Sequence, residues 1–157
     1  MKHSKIVGGS TAKRVMNCPG SVALCAKMPP QAENQYMAQG TMLHDAMAHI
    51  LGSDNMRPQD AIKGELLDEK IRPALDLLNE VDPDQTMEYE VETEVSFGDF
   101  LPGVFGSTDL VGRIGQRAIV LDWKFGDGVM VDAKENEQLM FYAAAAMRTA
   151  ETAWAFS

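Results

Sequence analysis

From Met87 onward the side chains alternate with a period of two, and this stretch constrains the fold more than any other. Tyr89, Val91, Thr93, Val95 and Phe97 point one way, and Glu88, Glu90, Glu92, Glu94 and Ser96 point the other. Such alternation predicts a β-strand with one face on a core. The loop Gly98-Asp99-Phe100-Leu101-Pro102-Gly103 leads to a second strand ending near Ile114. A third strand runs from Arg117 to Phe125 and contains the apolar run Ala118-Ile119-Val120-Leu121.

The chain before the strands reads as helical. Cys18-Pro19-Gly20-Ser21 is a turn, with Ser21 capping a short helix through Met28 that Pro29-Pro30 stops. A second helix is expected from Thr41 to Gly52, carrying Leu43, His44, Met47, Ile50 and Leu51. A third is expected from Gly64 to Val81 on the stripe Leu67, Ile71, Leu75 and Leu78, kinked or split by Pro73.

Beyond the third strand, Gly126-Asp127-Gly128 reads as a turn and Val129-Met130-Val131 as a short strand. Asp132-x-x-Glu135 resembles a capping box opening a helix to Ala150. Thr152 to Ser157 reads as the beginning of another strand, which sets the expectation that the natural protein is longer. The 157 residues suit one domain, 1–157, with a helical part over 14–82 and the sheet and a further helix over 86–157.

The most informative local pattern is Ile114-Gly115-Gln116-Arg117. A two-residue loop with glycine first suits a type II′ hairpin turn. In that register Asp109, five residues before Ile114, faces Asp122, five residues after Arg117. Like charges directly opposite are destabilising, so the pair requires a cation or a shared proton. Lys124 lies on the same strand face as Asp122, while Ile119, Leu121, Trp123 and Phe125 fill the other. Two carboxylates and an ammonium at a strand end can bind Mg²⁺ or Mn²⁺ and orient a hydrolytic water. Alone, Asp122-x-Lys124 is also the pattern of a solvated ion pair.

Other candidates carry two readings each. Gln138 and Tyr142, spaced i and i+4, share a helix face and reach either a phosphate or the core. His44 is either a metal ligand or a hydrogen-bonded helical histidine. Glu92 either orients a metal-bound water or belongs to an acidic face with Glu90 and Glu94. Arg113 and Arg117 flank the hairpin turn, as DNA contacts or as an ordinary charged tip.

The bulk properties narrow the classes. Hydrophobic residues make up 45% and charged residues 24%, a globular balance. No apolar run approaches the ~20 residues that span a bilayer, and the N-terminus lacks a signal-peptide core, so a cytoplasmic protein is expected. Cys18 and Cys25 are the only cysteines, too few for an iron–sulfur cluster or an all-cysteine zinc site, and they are read as reduced thiols. The net charge of −9 counts against a nucleic-acid partner unless divalent metal offsets part of the acid.

Taken in order, four segments resemble the motifs of the RecB-like branch of the PD-(D/E)XK nuclease superfamily. They are Gly40-Thr41-Met42-Leu43-His44, Gly106-Ser107-Thr108-Asp109, Leu121-Asp122-Trp123-Lys124 and, as a Q-x-x-x-Y motif, Gln138-Leu139-Met140-Phe141-Tyr142. Arg14 through Ser21, and Gly126 through Met140, are similar to the pattern of a phage-encoded RecB-like exonuclease family. The resemblance spans about residues 14–150.

It implies an α/β (α+β) fold with a central mixed β-sheet flanked by helices, a restriction-endonuclease-like core shortened at the C-terminus. His44, Asp109, Asp122 and the Trp123 backbone carbonyl would ligate Mg²⁺ or Mn²⁺. Lys124 would orient or help deprotonate the attacking water, and Gln138 and Tyr142 would support the site and contact DNA. The implied activity is a metal-dependent deoxyribonuclease, an exonuclease of phage recombination or DNA processing in a bacterial cell or phage-infected host. DNA is the implied partner, with a recombination or single-strand annealing protein and a second copy of the chain as further candidates. The alternative is the same fold without turnover, binding DNA or a partner protein.

Overall fold

Gly115 takes φ +58° and Gln116 does not share a positive φ, as a type II′ turn requires. The turn joins β2 (Phe105–Ile114) to β3 (Arg117–Leu121). Their pairing runs from Ile114 opposite Arg117 to Leu110 opposite Leu121, the register that a two-residue loop predicts. The computed structural model describes residues 4–29, 32, 34–52, 64–126 and 130–157, without the side chain of Leu67. Asp127, Gly128 and Val129 lie outside these residues, so the turn and short strand expected there are not described; Met130 and Val131 are exposed and outside any strand.

β1 (Glu88–Ser96) pairs antiparallel with β2 on its other edge, giving a three-stranded sheet of order β1-β2-β3. Among the described residues this sheet is antiparallel throughout, where a mixed one was expected. The segment Thr152 to Ser157 adds no strand, because its hydrogen bonds are satisfied locally. Ala153–Phe156 form a 3-10 turn, and the Thr152 hydroxyl donates to Ala146 O at 2.8 Å. Ala155 is thereby buried beneath the sheet's helix layer.

Two hydrophobic cores lie on opposite faces of the sheet. Adjacent β3 residues divide between them, Leu121 with the first and Val120 with the second, as strand alternation dictates. The first core joins Leu43, Ala46 and Met47 of α3 (Gln35–Gly52) to Ile71, Trp123 and Phe125. The second joins Val95 and Val111 to Tyr142, Ala145 and Ala146 of α5 (Glu137–Ala146). The architecture is mixed α+β.

Several local expectations shift for identifiable reasons. α3 starts at Gln35, not Thr41, because Asn34 Oδ1 accepts the Met37 amide at 2.9 Å. In the third helical region Pro73 sits in the first turn of α4 (Arg72–Val81), preceded by a π-helical turn over Leu67–Ile71. That wider turn accommodates the missing proline donor upstream. Ser21 is the first residue of α2 (Ser21–Cys25), and its buried Oγ caps nothing.

The capping box at Asp132 is not formed. Asp132 Oδ1 accepts the Lys134 amide, Glu135 adopts φ +54°, and Asn136 caps α5 by accepting the Gln138 and Leu139 amides. The helix therefore begins five residues after Asp132 and ends at Ala146.

β1 serves both cores. The Tyr89 hydroxyl donates to Leu51 O at the end of α3, whereas Val95 and Phe97 pack in the second core. Between them Glu92 holds φ +49°, a left-handed conformation that interrupts the alternation and costs roughly 1–2 kcal/mol in a residue with a Cβ. Pairing continues on both sides of Glu92 with unchanged register, which leaves Glu92 level with Asp109.

Candidate functional site

The β2–β3 ladder stops at Leu110 opposite Leu121, and the next pair across is Asp109 and Asp122. At this point the backbone bond is replaced by a side chain: the Trp123 amide donates to Asp109 Oδ2 at 2.6 Å. β3 therefore ends four residues before Phe125, and the chain beyond Leu121 is free to present groups of both aspartates' neighbours to one space. Glu92 of β1, Asp109 of β2 and Asp122, the residue just past β3, thus stand at one level of the sheet.

Both helix layers reach this row. From α5, Gln138 Nε2 donates to Asp122 Oδ1 at 2.9 Å and to the Tyr142 hydroxyl at 3.2 Å. With both of its amide hydrogens engaged, the Gln138 amide has one orientation. Lys124 Nζ contacts the other Asp122 oxygen, Oδ2. From α3, His44 Nε2 lies 2.9 Å from Trp123 O and 3.3 Å from Asp109 Oδ2.

The electrostatics follow from this crowding. Hydrogen bonding to Asp109 raises the His44 pKa to about 9, against the opposing effect of burial. Burial pushes the Asp122 carboxyl up, and Lys124 counters only part of that push. Burial and the charge of Asp109 also raise Glu92. The Tyr142 phenol is pushed up to about 12 by burial, so it stays protonated at neutral pH.

The tautomer of His44 tests whether a cation fits here. Its Nδ1 faces Gly40 O at 2.8 Å and must carry a proton to bond it. Its Nε2 faces the Trp123 carbonyl oxygen, which cannot donate, and Asp109 Oδ2, which already accepts the Trp123 amide. A neutral imidazole would aim a lone pair at both. Either a second ring proton or a cation between the nitrogen and these oxygens resolves the conflict. The donor set is thus one imidazole nitrogen held by a backbone carbonyl, two carboxylates and a carbonyl oxygen, a set suited to Mn²⁺ or Mg²⁺. Among the described residues no three His, Cys, Asp or Glu side chains are already spaced to hold a metal ion. In this arrangement protonated nitrogens of Lys124, Gln138 and Trp123 occupy the carboxylate oxygens.

One cavity of about 470 Å³ is lined by His44, Asp109, Asp122, Lys124, Gln138 and Tyr142. Glu92 is not among its lining residues. Arg113 and Arg117 lie away from it at the hairpin tip, about 14 and 17 Å along the strand from the level of Asp109 at ~3.4 Å per residue. There Arg113 Nε donates to Gly115 O at 2.7 Å.

Beside residues of α3 and β2, the wall includes the N-terminal segment, to which the sequence motifs assign no role. Ser4, Gly8, Gly9, Ser10 and Thr11 all line the cavity. Gly9 is buried against Tyr142, and a Cβ there would lie 2.3 Å from the ring Cζ. Gly106 approaches the same ring from β2, where a Cβ would be 3.0 Å from Cε1. The signal in the sequence was the adjacent pair Gly8-Gly9, residues that permit close backbone approach.

The chain matches the family described as a protein of unknown function, DUF2800, over residues 3–157, and belongs to it. No solved structure matches it. Among the described residues no helix is long and apolar enough to cross a membrane.

Proposed function

We propose that the protein is a Mg²⁺- or Mn²⁺-dependent deoxyribonuclease with a PD-(D/E)XK-type core, acting as an exonuclease in phage recombination or DNA processing in the cytoplasm. The observation that carries this reading is that His44, Asp109, Asp122 and Lys124 line one cavity, with His44 Nε2 against both Asp109 and the Trp123 carbonyl. Asp109, Asp122, His44 and the Trp123 carbonyl would hold the ion. When bound, such an ion polarises a phosphoryl oxygen and lowers the pKa of a coordinated water.

The chain's own groups divide the remaining work. Asp109 is kept in place by the Trp123 amide. Gln138 fixes one oxygen of Asp122 and is itself fixed by Tyr142. Lys124, released from Asp122, places its ammonium where it orients a water and offsets charge gathering on the phosphate. Tyr142 stays a neutral hydroxyl and acts by position, not as a base. The expected partners are DNA and, in recombination, an annealing protein.

The test is end-labelled single- and double-stranded DNA incubated with Mn²⁺, wild type against Lys124→Ala. Cleavage by the wild type that falls by about 10²-fold or more in the variant supports the reading, the scale of a lost acid–base group. No cleavage of either DNA by the wild type removes it.

A second reading is favoured by the contacts of Lys124 and Gln138 with both Asp122 oxygens, which leave that carboxylate engaged within the chain. In this reading the nuclease fold binds DNA or a partner protein without turnover. It predicts Mn²⁺ or DNA binding with no product in the same assay.

A further inference from the structure

The charge of this chain is strongly segregated. Residues 1–32 contain five Lys and Arg and no Asp or Glu. Residues 33–157 hold nine Lys and Arg against 23 Asp and Glu, a net charge of −14. The overall value of −9 therefore hides a basic N-terminal segment attached to an acidic body.

That basic segment is the one that walls the cavity. A 3-10 turn, Gly9–Thr11, runs directly into α1 (Ala12–Asn17). One side of α1 faces inward: Ala12, Val15 and Met16 line an apolar hollow with Phe97, Met140 and Phe141, and Glu137 stands on that same side. Ser10, Lys13, Arg14 and Asn17 are spaced i, i+3, i+4 and i+7, so they form a stripe along the other side. All four are exposed. Ser10 lines the cavity itself, so the stripe begins at the site and leads away from it.

The stripe is short of partners within the chain. Among the described residues, Lys13 and Arg14 make no ion pair and the Ser10 hydroxyl makes no hydrogen bond. The exposed Asn17 side chain donates its amide to Lys13 O at 2.7 Å. Lys5 and Lys27 are exposed on the same acid-free segment.

We infer that the open face of the 3-10 turn and α1, formed by Ser10, Lys13, Arg14 and Asn17, binds the phosphate backbone of a single DNA strand and leads its end into the cavity. The inference rests on the nuclease reading for what happens in the cavity, but the binding surface is argued from charge and position alone. Two cations and two neutral polar groups in a row match a line of phosphates, which an otherwise acidic surface would repel. A cavity of about 470 Å³ falls within the ~300–1,000 Å³ range of single-ligand pockets, room for one nucleotide unit at the end of a strand.

The experiment is fluorescence anisotropy of a short labelled single strand with the full chain in Ca²⁺, over a series of salt concentrations. The Lys13→Ala/Arg14→Ala double variant is expected to bind at least ~10-fold more weakly. Its slope of log affinity against log salt should be smaller by roughly 1.4, since each phosphate contact to a single strand adds about 0.7. Arg113→Ala/Arg117→Ala should leave both quantities as in the wild type. The inference is overturned if the wild type binds no strand, if the first variant keeps the wild-type slope, if the hairpin variant loses it instead, or if a duplex is bound more tightly than the single strand. Cleavage is scored separately in Mn²⁺. A wild type that binds through α1 and cuts nothing sinks the nuclease reading alone, whereas one that cuts and binds unchanged without Lys13 and Arg14 sinks this inference alone.

Discussion

The Trp123 amide donates to Asp109 Oδ2 at 2.6 Å, so the side chain of one strand takes over from the ladder where its neighbour leaves it. Removing the carboxylate strands a buried N–H, which costs roughly 1–3 kcal/mol. Asp109→Ala is expected to lower the urea midpoint accordingly. Asp109→Asn, which keeps one acceptor oxygen, should recover most of that loss while still losing Mn²⁺ binding by calorimetry.

Asp122 should behave in the opposite sense. Its folded-state pKa is raised, so its charged form is less favourable in the folded protein than in the unfolded chain, and stability is lost as pH rises from the unfolded pKa, about 3.9, through the folded one. Asp122→Asn is therefore expected to leave thermal stability unchanged or raise it at pH 7, while abolishing Mn²⁺ binding and cleavage. A clear drop in melting temperature at neutral pH would contradict this account.

Gly9 and Tyr142 should be energetically coupled. A Cβ at Gly9 would overlap the phenol ring, with its closest ring atom at 2.3 Å, and overpacking of this kind costs ~1–3 kcal/mol. Gly9→Ala is expected to destabilise by about that amount. In a Tyr142→Leu background the same substitution should cost much less, the coupling that a double-mutant cycle measures. Equal costs in the two backgrounds would show that the ring is not what excludes the methyl.

Asp82 sets a separate acid limit on stability. Desolvation pushes its carboxyl up, but donors from the Thr86 amide, the Met87 amide and the Thr86 hydroxyl outweigh it and hold the pKa below the ordinary value. A depressed carboxyl stabilises the fold above its unfolded pKa, about 3.9, and that contribution is lost as pH falls through the folded value. Asp82→Asn should thus lower the urea midpoint at pH 6, and the gap to wild type should narrow steadily below pH 4.

The hairpin was legible because a two-residue loop leaves few ways to pair its strands. Gly115-Gln116 alone fixes Ile114 opposite Arg117, and everything out to Asp109 and Asp122 follows. Gln138 and Tyr142 were likewise legible, since helical spacing places them on one face whatever the tertiary setting. What was not legible depended on contacts distant in sequence. Nothing local announces that Glu92 is left-handed, because its conformation is held by pairing on both sides. The start of α5 was misplaced because Asp132 and Asn136 are both good capping residues, and the positive φ of Glu135 decides between them. The role of the Ser4–Thr11 segment emerged only when it folded against a ring more than a hundred residues away.

One feature of the architecture reaches beyond geometry. His44 is delivered by the layer on one face of the sheet, and Gln138 and Tyr142 by the layer on the other. The hairpin between them can form early, since its contacts are local. The constellation cannot exist until both layers have docked, so a half-folded chain carries the aspartates without their supports. Docking of the second layer is thus the step that completes the site, so on the nuclease reading proposed above a nascent or partly unfolded copy would hold no complete site with which to cut DNA.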